Sequence, residues 1–188
     1  MRILTIILSL VCVNAFGVIP DEIKDWKMHA DRGDAWSQWR LGRCYEDGDG
    51  VSRDYEEAVK WYRKAAEQGD SDSQLSMGIC YANGKGVTKD EAEAVKWYKK
   101  SAEQGNKAGQ YFLGMSYAFG LGVPENLVEG YALWNLPGVI KKDGSFKGLD
   151  NLEKLMTPAQ IKAGQKRTKE LQAEIEAKIA DKKKAEKK

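Results

Sequence analysis

Gly33–Ala66 reads GDAWSQWRLGRCYEDGDGVSRDYEEAVKWYRKAA, and Gly69–Ala102 reads GDSDSQLSMGICYANGKGVTKDEAEAVKWYKKSA. The second stretch restates the first: Gly42 is answered by Gly78, Tyr45 by Tyr81 and Trp61 by Trp97, each 36 positions on (97 − 61 = 36). A third copy starts at Gly105 and keeps Gly114, Tyr117, Gly120, Gly122 and Val123 in register before it drifts. A fixed period of this length marks stacked supersecondary units, each too small to bury its own apolar face.

Within the second copy, Met77, Gly78 and Tyr81 share one helical face, and Asn83-Gly84-Lys85-Gly86 then breaks the helix with residues that accept positive φ. From Asp90 onward, Ala94, Val95, Trp97 and Tyr98 form a second apolar face that closes at Ala102 and Gly105. Each unit is therefore an antiparallel helix pair joined by a glycine-rich turn. A glycine inside a helix costs about 1 kcal/mol relative to alanine, so its recurrence at positions 42, 78 and 114 predicts close approach of the partner helix. Trp61 and Trp97 are expected to wedge between their own pair and its neighbour.

Gly33, Gln38, Leu41, Gly42, Tyr45, Gly48, Gly50, Val51, Asp54, Ala58, Trp61 and Ala66, with their second-copy equivalents, carry a resemblance. Over residues 30–136 the pattern resembles the Sel-one-like repeat family, relatives of the tetratricopeptide repeats. The resemblance implies an all-α superhelix of helix pairs over 31–66, 67–102 and 103–138. An N-terminal capping helix (18–30) and C-terminal capping helices (139–180) are expected to flank them. It implies a scaffold that binds a protein or peptide along its concave face. It also carries a competing implication, because some secreted relatives are associated with binding or hydrolysing cell-wall or beta-lactam compounds. This chain has no Ser-x-x-Lys, so the serine-acylation machinery is missing and an enzyme is not expected. In the third copy Gly130, Ala132 and Leu133 replace the Ala-x-Lys-Trp of the others. In the family a drifted last repeat is commonly followed by a cap, and Leu152–Ile161 resembles one.

The chain has 188 residues and a formal net charge of +2, with acids and bases interleaved through the repeats. That suits one domain and lacks the basic face a nucleic-acid partner needs. The basic residue run is terminal, and residues 181–188 read as a solvated, disordered tail. Residues 1–17 read as a secretory signal: Arg2 heads an apolar stretch Ile3–Val13, with small-residue cleavage sites after Ala15 and Gly17. The apolar stretch is short of the roughly 20 residues that span a bilayer, so no membrane span is expected in the processed chain. Bulky Val11 before Cys12 disfavours a lipoprotein signal. The expectation is an exported, periplasmic or secreted protein.

Cys44 and Cys80 occupy the same helix position one period apart. Equivalent points on stacked helices lie about 10 Å apart, beyond the reach of a disulfide, so both read as small apolar core residues. The one histidine, His29, and two distant cysteines assemble no usual zinc site. Glu46-Asp47-Gly48-Asp49-Gly50 lacks calcium-loop spacing, and its counterparts Asn83-Gly84-Lys85-Gly86 and Phe119-Gly120-Leu121-Gly122 keep the glycines without the acids. The stretch reads as a turn, and no cofactor motif is present. Glu56 to Lys60 and Glu57 to Lys64 have spacings suited to surface ion pairs.

Removing the recurrent core positions leaves a variable stripe on each first helix. It comprises Trp36, Arg40, Arg43 and Asp47 in the first copy, and Asp72, Ser76, Ile79 and Asn83 in the second. Tryptophan and arginine are enriched at interaction hot spots, so these eight residues are the candidate partner surface. The competing reading makes Trp36 a cover for the N-terminal cap and leaves the arginines solvated. The third stripe, Ala108, Phe112, Met115 and Phe119, is apolar, and the C-terminal segment is expected to fold over it. Thr157-Pro158-Ala159-Gln160 is a capping box opening a helix with the apolar row Ile161, Leu171, Ile175 and Ile179. The charged later part of that helix is expected to project from the body, where it offers a route to oligomerisation. Asp21–Ala30 reads as a short helix standing in for the second helix of a missing repeat.

Overall fold

A computed structural model describes residues 21–139 and 147–185. The expected leader (1–17) lies outside the described residues. Among these residues the chain is helical: α1 (Asp21–Asp31), α2 (Ala35–Asp47), α3 (Tyr55–Glu67), α4 (Ser71–Asn83), α5 (Glu91–Glu103), α6 (Lys107–Phe119), α7 (Leu127–Trp134), α8 (Gly148–Leu155) and α9 (Pro158–Ala185). Helices α2 to α7 form three antiparallel pairs in sequence, α2/α3, α4/α5 and α6/α7.

The boundaries follow from capping chemistry that repeats with the sequence. Asp34, Asp70 and Asn106 cap the first helices, accepting from the backbone N–H of Ser37, Ser73 and Gly109 at 2.7, 2.7 and 3.0 Å. Asp54, Asp90 and Asn126 do the same for the second helices. Each such cap contributes about 1 kcal/mol. Gly48, Gly84 and Gly120 end the first helices in the left-handed region. The other turn glycine has a second task. A Cβ on Gly86 or Gly122 would collide with the backbone of Tyr55 or Glu91, where the turn lies against the preceding pair.

The mid-helix glycines do allow close approach. A Cβ on Gly42 would stand 2.6 Å from two ring carbons of Tyr62, and one on Gly114 would stand 2.6 Å from the Trp134 ring. Tyr98 fills the same space over Gly78. The neighbouring tryptophans bridge successive units. Trp61 is buried with Ile23 and Ala30 of α1 and Leu41 and Cys44 of α2. Trp97 is buried with Ala58, Val59, Tyr62 and Ala66 of α3 and Met77 and Cys80 of α4. Recurrent glutamines add a stitch: Gln38, Gln74 and Gln110 donate to the carbonyls of Ala30, Ala66 and Ala102 at 3.0, 3.1 and 3.2 Å. Ala30 thus does for α2 what Ala66 does for α4, and α1 takes the place of a preceding second helix. Cys44 and Cys80 are free, buried thiols in separate clusters.

The C-terminal segment departs from expectation. Thr157 and Gln160 form the capping box reciprocally, at 2.8 and 3.3 Å. Leu152 and Met156 are buried against Tyr131 and Trp134. However, α9 does not cover the third stripe; it packs on α7. Gly164 lies under the Tyr131 ring, Thr168 Oγ1 donates to the Ala132 carbonyl at 3.3 Å, and Arg167 pairs with Glu129 at 3.1 Å. Phe119 is left 60% exposed. The reason lies in the drift of the third copy. Lys60 and Lys96 are exposed on the outer side of α3 and α5, whereas Ala132 at the same position is fully buried. Replacing lysine by alanine prepares that outer side to be covered.

Two related expectations change as well. The helix continues through Ala185, beyond the expected start of the tail at 181. Its later part does not project: Lys178 pairs with Glu103 at 2.9 Å and Lys182 donates to Gln104 Oε1 at 2.7 Å. The row Leu171, Ile175 and Ile179 meets its own body, Ile179 lying against Gly105, so it is not free to hold a second copy.

Candidate functional site

The first-helix stripes fall into three groups. Trp36 is 55% exposed, and Arg43, Asp47, Asp72 and Asn83 are exposed. Ser76 and Ile79 are half-buried, Ile79 packing with the cluster that holds Leu75 and Phe112. Arg40 is taken up by the fold. Its guanidinium lies 4.4 Å from the Trp26 ring centre and 5.5 Å from that of Trp36, and the two indoles meet edge to face at 6.5 Å. Arg40 thus fastens α1 to α2, and its Nε is buried without a hydrogen-bond partner.

The exposed residues are mostly held by local contacts. Arg43 lies 5.6 Å over the Trp39 ring and pairs with Asp47 at 3.2 Å. Both partners of that pair are about half exposed, so it contributes little, on the order of 0.5 kcal/mol. Asp72 accepts from Asn106 at 2.7 Å across the second and third pairs. Ser76 and Asn83 bond back to the carbonyls of Asp72 and Ile79 on their own helix. In the third stripe, Phe112 stacks on Tyr98 at 5.3 Å and Phe119 lies 6.2 Å from Trp134. Met115 packs against the cluster of Tyr131, Trp134, Leu152 and Met156, so the C-terminal segment helps to bury part of the stripe, although α9 does not cover it.

Sequence reasoning missed two features. Trp39, half-buried beside Arg43, packs one face against the cluster of Ala58, Tyr62 and Trp97, and its i−4 spacing to Arg43 was the available signal. The turn residue Lys85 reaches back to Glu46 at 3.1 Å, and Glu46 also accepts from the buried Tyr62 hydroxyl at 2.8 Å. Burial, then the bond to Glu46, pushes the Tyr62 pKa well above its usual value. At the next interface Ala82 and Leu121 occupy the positions of Glu46 and Lys85, an apolar pair replacing an ionic one.

The second helices also differ from the ion pairing expected of them. Glu57 pairs with Lys60 at 2.9 Å and Glu93 with Lys96 at 2.7 Å. Lys64 and Lys100 instead lie over the Trp61 and Trp97 rings, at 3.8 and 4.0 Å from their centres. An indole face competes for the ammonium that spacing alone would have given to a carboxylate. Among the described residues no group of His, Cys, Asp and Glu could hold a metal ion, and no helix is long and apolar enough to cross a membrane.

The family description "Sel1 repeat" matches residues 37–70, 71–106 and 107–136, more than half of the chain. The chain belongs to the Sel1 repeat family. It is similar to the crystal structure of a Sel1 repeat protein from Oxalobacter formigenes. That match has 36% identity and a TM-score of 0.56, over 60% of this chain and 46% of that one. It is also similar to c5321, a protective antigen present in uropathogenic Escherichia coli strains that displays an SLR fold. Here identity is 25% and the TM-score 0.61, over 86% of this chain and 43% of that one. The chain thus spans less than half the length of either structure. No curated protein matches it. As a Sel1 repeat chain, it is a helical scaffold of a family that generally serves protein–protein interaction.

Proposed function

We propose that this Sel1 repeat chain is an exported, non-enzymatic adaptor that holds a protein or peptide on the concave side lined by its first helices. The observation that carries the reading is Trp36. It is 55% exposed on the helix that also carries Trp39 and Arg43, at a position where the later copies have Asp72 and Ala108. A large exposed indole on a helix that also presents the exposed Arg43 guanidinium has the composition of an interaction hot spot. Asp72, Asn83 and the half-buried Ile79 extend this side along the second pair, and the α9 helix lies elsewhere. Export rests on the leader-like residues 1–17 and their small-residue cleavage sites.

Affinity capture from envelope extracts tests the surface, using the wild type, Trp36→Ala and Arg43→Glu. Arg40 is left intact because it holds α1, and Arg43→Glu, which leaves the Trp26–Trp36–Arg40 contacts in place, decides the test if Trp36→Ala loosens α1. Both variants should lose a partner that the wild type retains, with unchanged helical circular dichroism. A partner retained by both variants would place the surface elsewhere. N-terminal sequencing of the chain from the envelope fraction tests export: the processed chain should begin at Phe16 or Val18, and an intact Met1 would refute cleavage.

A further inference from the structure

The distal turns of α9 complete a cleft that the repeats alone do not contain. Ser71 and Gln74 at the start of α4, Lys100, Glu103 and Gln104 at the end of α5, and Lys178, Lys182 and Lys183 of α9 line an open cleft of ≈ 500 Å³, with Ile179 as its apolar element. Four lysines therefore face one carboxylate. Lys178 spends its charge on Glu103, at 2.9 Å. The others do not. Lys182 is positioned by the neutral Gln104 amide oxygen at 2.7 Å, and Lys100 by the Trp97 ring at 4.0 Å. Lys183 has no ion pair among the described residues. None of the aspartates nearby in sequence lines the cleft: Asp70 caps α4 through the Ser73 N–H at 2.7 Å, Asp72 accepts from Asn106 at 2.7 Å, and Asp181 pairs with Lys184 at 3.8 Å.

We propose that this cleft binds a ligand carrying two or more phosphate groups. Three ammonium groups, two of them fixed by neutral partners, form a cationic site whose charge the fold leaves uncompensated. No arginine lines the cleft. Lysine binds phosphate as a compact point charge that needs no fixed donor geometry, and several ammonium groups facing one opening favour a multiply charged anion. The volume exceeds that of one phosphate and leaves room for a second, or for an organic body against Ile179. The first pair supplies an internal comparison. Lys64 lies over Trp61 and Gln68 donates to Gln38 at 2.7 Å, as Lys100 and Gln104 do in the second pair. No α9 lysine reaches that surface, so only the second pair gains the site. The site lies apart from Trp36 and Arg43 and stands independently of the adaptor reading.

Isothermal titration of the full chain with inorganic tripolyphosphate at low salt tests the cleft. Saturable binding is expected, weakened about tenfold in Lys182→Gln/Lys183→Gln by loss of charge-assisted contacts. Lys60→Gln/Lys64→Gln removes the same two charges from the first pair and should change affinity less than about threefold, as expected of exposed, screened charges. Lys100→Gln, on the body, removes one charge of the site without touching α9; it should weaken binding more than the matched Lys64→Gln and covers the case in which the paired α9 variant fails to fold. Sedimentation with cardiolipin-containing against phosphatidylcholine vesicles distinguishes the source. A preference for cardiolipin, which carries two phosphates, that the cleft variants abolish, without tripolyphosphate binding, assigns the phosphates to lipid headgroups; tripolyphosphate binding assigns a soluble ligand. The proposal is overturned if neither probe binds, or if the cleft and first-pair variants lose affinity equally.

Discussion

Replacing Gly42 by alanine sets two effects of opposite sign against each other. On helix propensity alone, alanine inside α2 should stabilise the protein by about 1 kcal/mol. The new Cβ, however, would stand 2.6 Å from Tyr62 Cδ1 and Cε1 and 3.2 Å from the Ala58 carbonyl oxygen, whereas unstrained carbon contacts lie near 3.5–4.0 Å. Tyr62 cannot swing aside at low cost. It is fully buried, and its hydroxyl is held by Glu46 at 2.8 Å. Overpacking of a closed core costs about 1–3 kcal/mol, and pinning the ring at both ends puts this site at the upper end. The expected net change is a destabilisation of about 1–2 kcal/mol. Urea unfolding followed by far-ultraviolet circular dichroism measures it, with the slope checked for constancy between variants. Tyr62→Leu removes the obstructing ring, so Gly42→Ala should be better tolerated in that background, with a coupling of about 1 kcal/mol or more. A neutral or stabilised Gly42→Ala chain would refute the close-approach account of all three mid-helix glycines.

Arg40→Ala should loosen α1 by about 1 kcal/mol through loss of its contacts with Trp26 and Trp36. Near-ultraviolet circular dichroism should register the disturbed indole pair, and an unchanged spectrum would return Arg40 to the free surface. Burial pushes the Cys80 thiol up to about 12 and raises that of Cys44. Because the thiolate is the reacting species, both cysteines should label with a disulfide reagent at pH 8 only as fast as the fold opens. Rapid labelling of either in the native chain would contradict its placement. Ser37 hydrogen bonds hold the Asp34 carboxyl below its ordinary value of 3.8. A depressed folded pKa gives stability that is present above the unfolded value and lost as pH falls through the folded one. Asp34→Asn, an equivalent cap without a charge, should match the wild type near pH 6 and melt higher near pH 3; parallel profiles would exclude this contribution.

The repeated unit was legible in the order of residues alone. Its caps, glycine turns and apolar faces act over a few residues, and the period copies them, so Asp34, Asp70 and Asn106 could be read as equivalents from one line of text. The glycines at 42, 78 and 114 were equally legible, because a residue unfavourable in a helix recurs only where space demands it. What the sequence could not assign was the choice between surfaces. The apolar row of α9 matched the third stripe (Phe112, Met115 and Phe119) as well as the outer side of α7, and only packing against Ala132 and Tyr131 decided between them. Arg40 looked like a twin of Arg43 until α1 brought Trp26 beneath it. The terminal lysines looked like a frayed end until α9 laid them beside Lys100 and Gln104, some eighty positions earlier in the chain. Short-range hydrogen bonding and periodicity are written locally. Which side of a helix is covered depends on the relative free energies of long-range alternatives, and those exist only once the chain is folded.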